Sequence, residues 1–274
     1  MPGPRKPPAP QTPPTTQTPG PTMKSENPED STMPLVAHLK ELRDRMMRSI
    51  AVVFVVFIGL YFLAGDLYMI LVKPLEVLLP VGGQLIATGV TSPFFVPLKL
   101  TIVLAVFISV PYLLHQIWGF IAPALYKHER RVAIPLFISS VLLFYAGVSF
   151  VYFVVLPLVF GFFTSVGPEN INLMPDIGNV LDFCLKLFFA FGIAFEIPIA
   201  TFLLVRAGIV SVDSLSSKRP YIFAGCFVIG MLLTPPDVIS QTILAVPMWL
   251  LFELGLAFAR LIPKAKIEEA AELD

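Results

Sequence analysis

The chain carries few residues able to do chemistry, and they are mostly carboxylates in unusual company. Glu129 stands within Lys127-His128-Glu129-Arg130-Arg131, a single acid in a basic stretch that separates two long apolar runs. Glu41 sits among Lys40, Arg43, Arg45 and Arg48. Glu196, in Phe195-Glu196-Ile197-Pro198, and Glu253, in Leu251-Phe252-Glu253-Leu254, lie within apolar runs. Asp237 follows Thr234-Pro235-Pro236. A carboxylate facing a guanidinium can form two parallel charge-assisted hydrogen bonds. The plain reading is that Glu41 forms an i,i+4 pair with Arg45, worth ~0.3–0.5 kcal/mol, and that Glu129 neutralises its neighbours at a solvated corner. Glu196 differs, because a charge at the centre of a membrane helix costs ~2.5–3.5 kcal/mol on insertion scales. It reads either as a neutral hydrogen-bonded side chain or as a polar notch for a ligand, a partner helix or a proton. Glu253 is expected to pair with Arg260 or Arg206.

The elements that position these groups are membrane spans. Of 274 residues, 56% are hydrophobic and only 14% charged, with 24 Phe; soluble domains carry about 25% charged residues. Several runs approach the ~20 residues that cross a bilayer, without the alternation of a membrane barrel. The expected fold is an all-α polytopic membrane protein. Six spans are expected: Ser49–Ala64, Phe94–Trp118, Val132–Phe163, Asp182–Val205, a fifth between Arg219-Pro220 and Thr234, and Thr242–Ala259. The fifth and sixth are short, at ~20 and ~27 Å of helix, and short spans thin the bilayer or find partners. Span three should bend or end at Pro135 and Pro157, and Gly65–Ser92 reads as a loop. Lys99 and Lys186 read as interfacial anchors.

Residues 1–33 form a separate regime, in which nine of the first 21 residues are Pro. That composition predicts a disordered tail, without the apolar core of a secretory signal. Thr32 and Pro34 then suit a helix start, and Leu35, Leu39, Leu42 and Met46 share one apolar face. The membrane domain spans 34–262, and 263–274 form a cytoplasmic C-terminal tail. Thirteen Lys and Arg fall before span one, in alternate loops and after span six, against Lys73 alone in the other loops. By the positive-inside rule, both termini and both Glu41 and Glu129 are cytoplasmic.

Cys184 and Cys226 read as small buried side chains, and the three histidines are too scattered for a metal site. No phosphate loop, nucleophile elbow or His-Glu-x-x-His occurs, so no enzyme class, metal, cofactor or nucleic acid is implied. Asp237 can cap the sixth span at an outer, periplasmic turn. Turn chemistry alone can account for this corner; alternatively, Met231, Thr234, Asp237 and Gln241 gather polar and flexible groups at the tips of the short spans, a docking point for another helix.

His38-Leu39-Lys40-Glu41-Leu42-Arg43, Phe120-Ile121-Ala122-Pro123-Ala124-Leu125-Tyr126-Lys127-His128-Glu129-Arg130, Phe195-Glu196-Ile197-Pro198 and Leu233-Thr234-Pro235-Pro236-Asp237-Val238 resemble, in order and spacing, the TatC family. That family comprises the multi-span receptor subunits of the twin-arginine protein translocase. The resemblance covers about residues 34–262. It implies a bacterial inner-membrane receptor for signal peptides bearing two consecutive arginines, with Glu41 and Glu129 meeting them and Arg43, Phe120 and Leu125 shaping the surface. It also implies export of folded proteins driven by the proton motive force, with single-span TatA- and TatB-type partners in a hetero-complex containing several copies of the chain. Met231, Thr234 and Gln241 would dock a partner helix, and Glu196 would lie on a membrane-embedded concave face. Two other readings are a proton-coupled small-solute transporter, resting on Glu196, and a purely structural scaffold.

Overall fold

A computed structural model describes Gly3 and residues 28–76, 84–125, 130–166, 174–235 and 237–261. Those residues are helical almost throughout, in the order α1 (Pro28–Tyr61), α2 (Ala64–Glu76), α3 (Ser92–Leu125), α4 (Arg130–Phe150), α5 (Leu156–Val166), α6 (Ile177–Ala194), α7 (Ile197–Arg206), α8 (Val212–Ser217), α9 (Arg219–Leu233) and α10 (Val238–Arg260). The chain divides into two units, 1–44 and 45–274. In the first, α1 begins at Pro28 rather than at the expected Thr32–Pro34 start.

Among the described residues, four stretches are long and apolar enough to cross a membrane: Ser92–Phe120, Ile134–Val166, Ile177–Arg206 and Val238–Arg260. The pair Leu39–Tyr61 and Ala64–Leu71 passes the same test only together and is bent by 88°. Arg219–Leu233 is a shorter apolar helix. Each expected span therefore has a helical counterpart, one inside a bent pair and one undersized.

Four expectations change. Much of the expected loop Gly65–Ser92 is helical as α2, because Leu67, Tyr68 and Leu71 recur at helical spacing and pack on the core. Span three is not ended by its prolines. α4 and α5 are joined by a π-helical turn, Val151–Val155, and Pro157 falls in the first turn of α5, where its missing N–H costs least. Span two runs past its expected end at Trp118, since α3 continues to Leu125. Span six is not short: the Asp237 cap starts α10 at Val238, giving 23 residues and ~34 Å of helix. Among the described residues, α9, with 15 residues, is the apolar helix that stands for an expected span and is shorter than the hydrocarbon core.

The helix ends follow local chemistry. The Asp176 side chain accepts from the Gly178 and Asn179 N–H groups and starts α6, and Ser211 accepts from Ser214 N–H to start α8. α7 ends at Gly208, whose φ of +73° suits only a residue without Cβ. There Gly208 N–H donates to the Val205 carbonyl and Ile209 N–H to the Leu204 carbonyl, the paired bonds of a Schellman turn.

The core lies among α3, α4, the π turn, α5, α6 and α10. Leu100, Val151, Val155, Leu156, Val159, Leu187, Phe191 and Leu244 are almost wholly buried. Phe107 meets Phe144, Phe188 and Phe189 edge-on, the arrangement that aromatic quadrupoles favour. Many other large apolar side chains, such as Phe153 and Leu142, face outward, as expected where lipid replaces water. Both cysteines are buried and free.

Candidate functional site

Glycines bring the backbones together around Glu196. A Cβ on Gly147 of α4 would lie 2.7 Å from the Phe191 carbonyl oxygen, and one on Gly192 of α6 would lie 2.7 Å from the Phe144 ring. A Cβ on Gly255 of α10 would lie 2.7 Å from Pro198 Cα. These contacts hold α4 on α6 and α10 on α7, the small-residue packing that drives helix association in lipid.

Between α6 and α7 the helix breaks at Phe195–Glu196. Glu196 N–H donates to the Ile193 carbonyl, a tightened turn, and Pro198 has no N–H to offer one turn back. The break turns the Glu196 side chain toward Ser140 of α4, which hydrogen-bonds its carboxyl. Its Oε1 is buried without a partner. Ser140 itself is buried. A half-satisfied carboxyl inside a span is costly.

At the α3 end, Arg45 donates from Nη1 to the Gln116 carbonyl and Oε1, each at 3.3 Å, and from Nη2 to the Gly119 carbonyl at 3.2 Å. Gly119 admits this contact, since its Cβ would stand 2.5 Å from Nη1. Phe120 follows, half-buried. Leu125 is the last residue of α3; its side chain and Glu129 lie outside the described residues. In the other unit, Glu41 is exposed on α1, and Arg43 pairs with Asp44 at 2.7 Å, both exposed.

The residues proposed to dock a helix share the α9–α10 corner but differ in access. Met231 is half exposed, whereas Thr234 is buried with its hydroxyl donating to the Gly230 carbonyl at 2.9 Å. Gln241 Nε2 donates to the Phe227 carbonyl at 2.9 Å, leaving its Oε1 as the acceptor of interest. Asp237 caps α10 through Ser240 N–H at 2.6 Å.

Three pairings escaped the sequence reading. Glu253 pairs with Arg219 of α9 at 2.6 Å, not with Arg260 or Arg206 as its interfacial partner. Lys99 pairs with Asp182. Asp176 accepts from Thr88 N–H at 2.9 Å and Thr88 Oγ1 at 2.6 Å, and Ile86 bridges Pro175 and Ile177 through its backbone. These bonds, with Thr88 foremost, hold the Asp176 carboxyl down at about 2. The one local signal was Asp176 as an acid at a helix start; the partners in all three pairings lie far apart along the chain.

The fold and site define a multi-span α-helical membrane protein with polar groups at helix ends and at one intramembrane break. Comparison with known proteins gives its family. The model for the Sec-independent protein translocase protein (TatC) matches residues 37–247. A TatC from Azotobacter chroococcum mcd 1 is 59% identical over 236 residues, covering 86% of this chain and 92% of the relative. Another from Escherichia coli (strain K12) is 52% identical over 231 residues, covering 84% and 90%. The crystal structure of a twin arginine translocase receptor, TatC, superposes with a TM-score of 0.74 at 37% identity, covering 82% of this chain and 98% of that one. The chain belongs to the TatC family.

Proposed function

We propose that this chain is the receptor subunit of a twin-arginine translocase in the bacterial inner membrane, with both termini cytoplasmic. It binds the signal peptides of folded proteins through Glu41 and Glu129, flanked by Arg43, Phe120 and Leu125, and acts without covalent catalysis. The observation that carries this reading is the match to a translocase receptor along nearly that receptor's whole length. The chemistry agrees: a guanidinium pairs bidentately with a carboxylate, and an ammonium does not. Acids set in a basic field would favour two adjacent guanidinium groups over scattered positive charge.

In the same reading, TatA- and TatB-type single-span subunits complete the complex, several copies of the chain assemble within it, and the proton motive force drives passage. The exposed Met231, with Thr234 and Gln241, forms the docking corner. The undersized α9 thins the bilayer there, and the Glu196 notch receives a partner or signal peptide. The test is export by this chain in a bacterium lacking its own TatC. A folded fluorescent protein with a twin-arginine signal should reach the periplasm, and the twin-lysine form should not. Export that ignores the arginines, or no export beside an intact complex, would overturn the reading.

A further inference from the structure

Where α4, α7 and α10 converge they leave a groove of about 480 Å³. Ser139 and Leu143 line it from α4, Ile199, Phe202 and Arg206 from α7, and Phe258 from α10. Its walls are apolar apart from the Ser139 hydroxyl and the guanidinium at one end. Along α7 it runs from Pro198 to Arg206, ~12 Å of helix. Leu261, just past α10, also lines the groove.

We propose that this groove holds one anionic glycerophospholipid, with an acyl chain along Leu143, Ile199 and Phe202 and its phosphodiester on Arg206. The apolar side chains of Leu143, Ile199 and Phe202 along its length suit an acyl chain. Charge argues for an anionic head. A guanidinium matches a phosphate as a bidentate fork, and basic pockets between spans suit anionic head groups. Arg206 has a protein partner as well, but a guanidinium carries five donors. The end of α7 does not repel the anion strongly, since the turn at Gly208 already occupies the Val205 and Leu204 carbonyls. The inference needs only the membrane setting, not the receptor role.

The test is local quenching in phosphatidylcholine vesicles. The full chain carries Phe202→Trp in a Trp118→Phe, Trp249→Phe background, and phosphatidylglycerol or phosphatidylcholine with brominated acyl chains is added at low mole fraction. Brominated phosphatidylglycerol should quench about tenfold more effectively, the factor one charge-assisted contact provides. At the outward-facing Phe153, replaced by Trp in the same background, the two lipids should quench equally. Adding Arg206→Gln should abolish the preference while the unfolding temperature shows the protein folded; Arg206→Lys should restore part of it. Equal quenching by both lipids at Phe202→Trp overturns the proposal. So does a preference that survives Arg206→Gln, or quenching that appears only at Phe153→Trp. Protection by a twin-arginine peptide without any lipid preference would assign the groove to the signal peptide instead.

Discussion

Arg45 and Gly119 fit one another: the Arg45 guanidinium donates to the Gly119 carbonyl at 3.2 Å and occupies the space where a Gly119 side chain would stand. The same guanidinium holds Gln116, so one side chain joins α1 to the last turns of α3, just before Phe120. Arg45→Ala should lower stability by about 1–3 kcal/mol, the range for charged hydrogen bonds left unmade. Arg45→Lys should recover little, since one ammonium cannot reproduce the planar fork. Gly119→Ala should destabilise in the same direction by displacing Nη1. Denaturant unfolding of the reconstituted variants reads all three.

Gly255 offers a second test. Its Cβ would meet Pro198 Cα at 2.7 Å and Thr201 Cβ at 3.1 Å, and backbone cannot step aside as a flexible side chain can. Gly255→Ala should cost about 1–3 kcal/mol through overpacking. Gly59 and Gly161 have nothing within 4 Å. Alanine at either should be neutral or stabilising by up to ~1 kcal/mol, from helix propensity. Melting curves in one detergent compare the three directly.

The Asp176 clasp makes stability depend on pH. Its carboxyl is held down at about 2 by Thr88 and by the α6 N–H groups. A depressed folded value means that its contribution is complete above the ordinary carboxylate range and is lost as pH falls from about 4 toward about 2. Asp176→Asn should remove that part of the acid dependence, and Thr88→Val should shrink it. Thermal unfolding between pH 2 and 6 measures both. A wild-type acid limb retained in Asp176→Asn would refute the clasp.

Arg219 and Glu253 join α9 to α10 at 2.6 Å, with Arg219 Nε and Glu253 Oε1 buried and unpartnered. A double-mutant cycle with Arg219→Gln and Glu253→Gln should give a coupling of about 1–3 kcal/mol, because the pair is partly withdrawn from solvent. Purely additive effects would show that the two charges act apart.

Much of the fold was legible because lipid demands helices and apolar length. The Asp237 cap and the buried cysteines followed from residue type alone. The length of α10 did not, since the polar Ser240 and Gln241 masked its first turn. Pro74 and the prolines and glycines that follow it made nearly all of α2 read as loop, although Leu67, Tyr68 and Leu71 already kept helical spacing. The π turn at Val151–Val155 has no residue signature, because the apolar run continues through it. Glu253 was assigned to its nearest bases along the membrane edge, whereas Arg219 reaches it only through the α9–α10 packing. At the candidate site, Glu196 was conspicuous as a charge in an apolar run, but Ser140 as its partner and the glycines around it are products of tertiary packing. Glu41 and Glu129 drew attention as acids among bases, and their pairing with arginines rested on the family resemblance.

The central claim is tested most directly by binding a twin-arginine signal peptide to the purified, lipid-reconstituted protein. A twin-lysine peptide and the Glu41→Ala and Glu129→Ala variants serve as controls. The account predicts selective binding that falls by about tenfold or more in each control, as expected when a bidentate charged contact is lost. Equal binding of both peptides, or full binding without either acid, would contradict it.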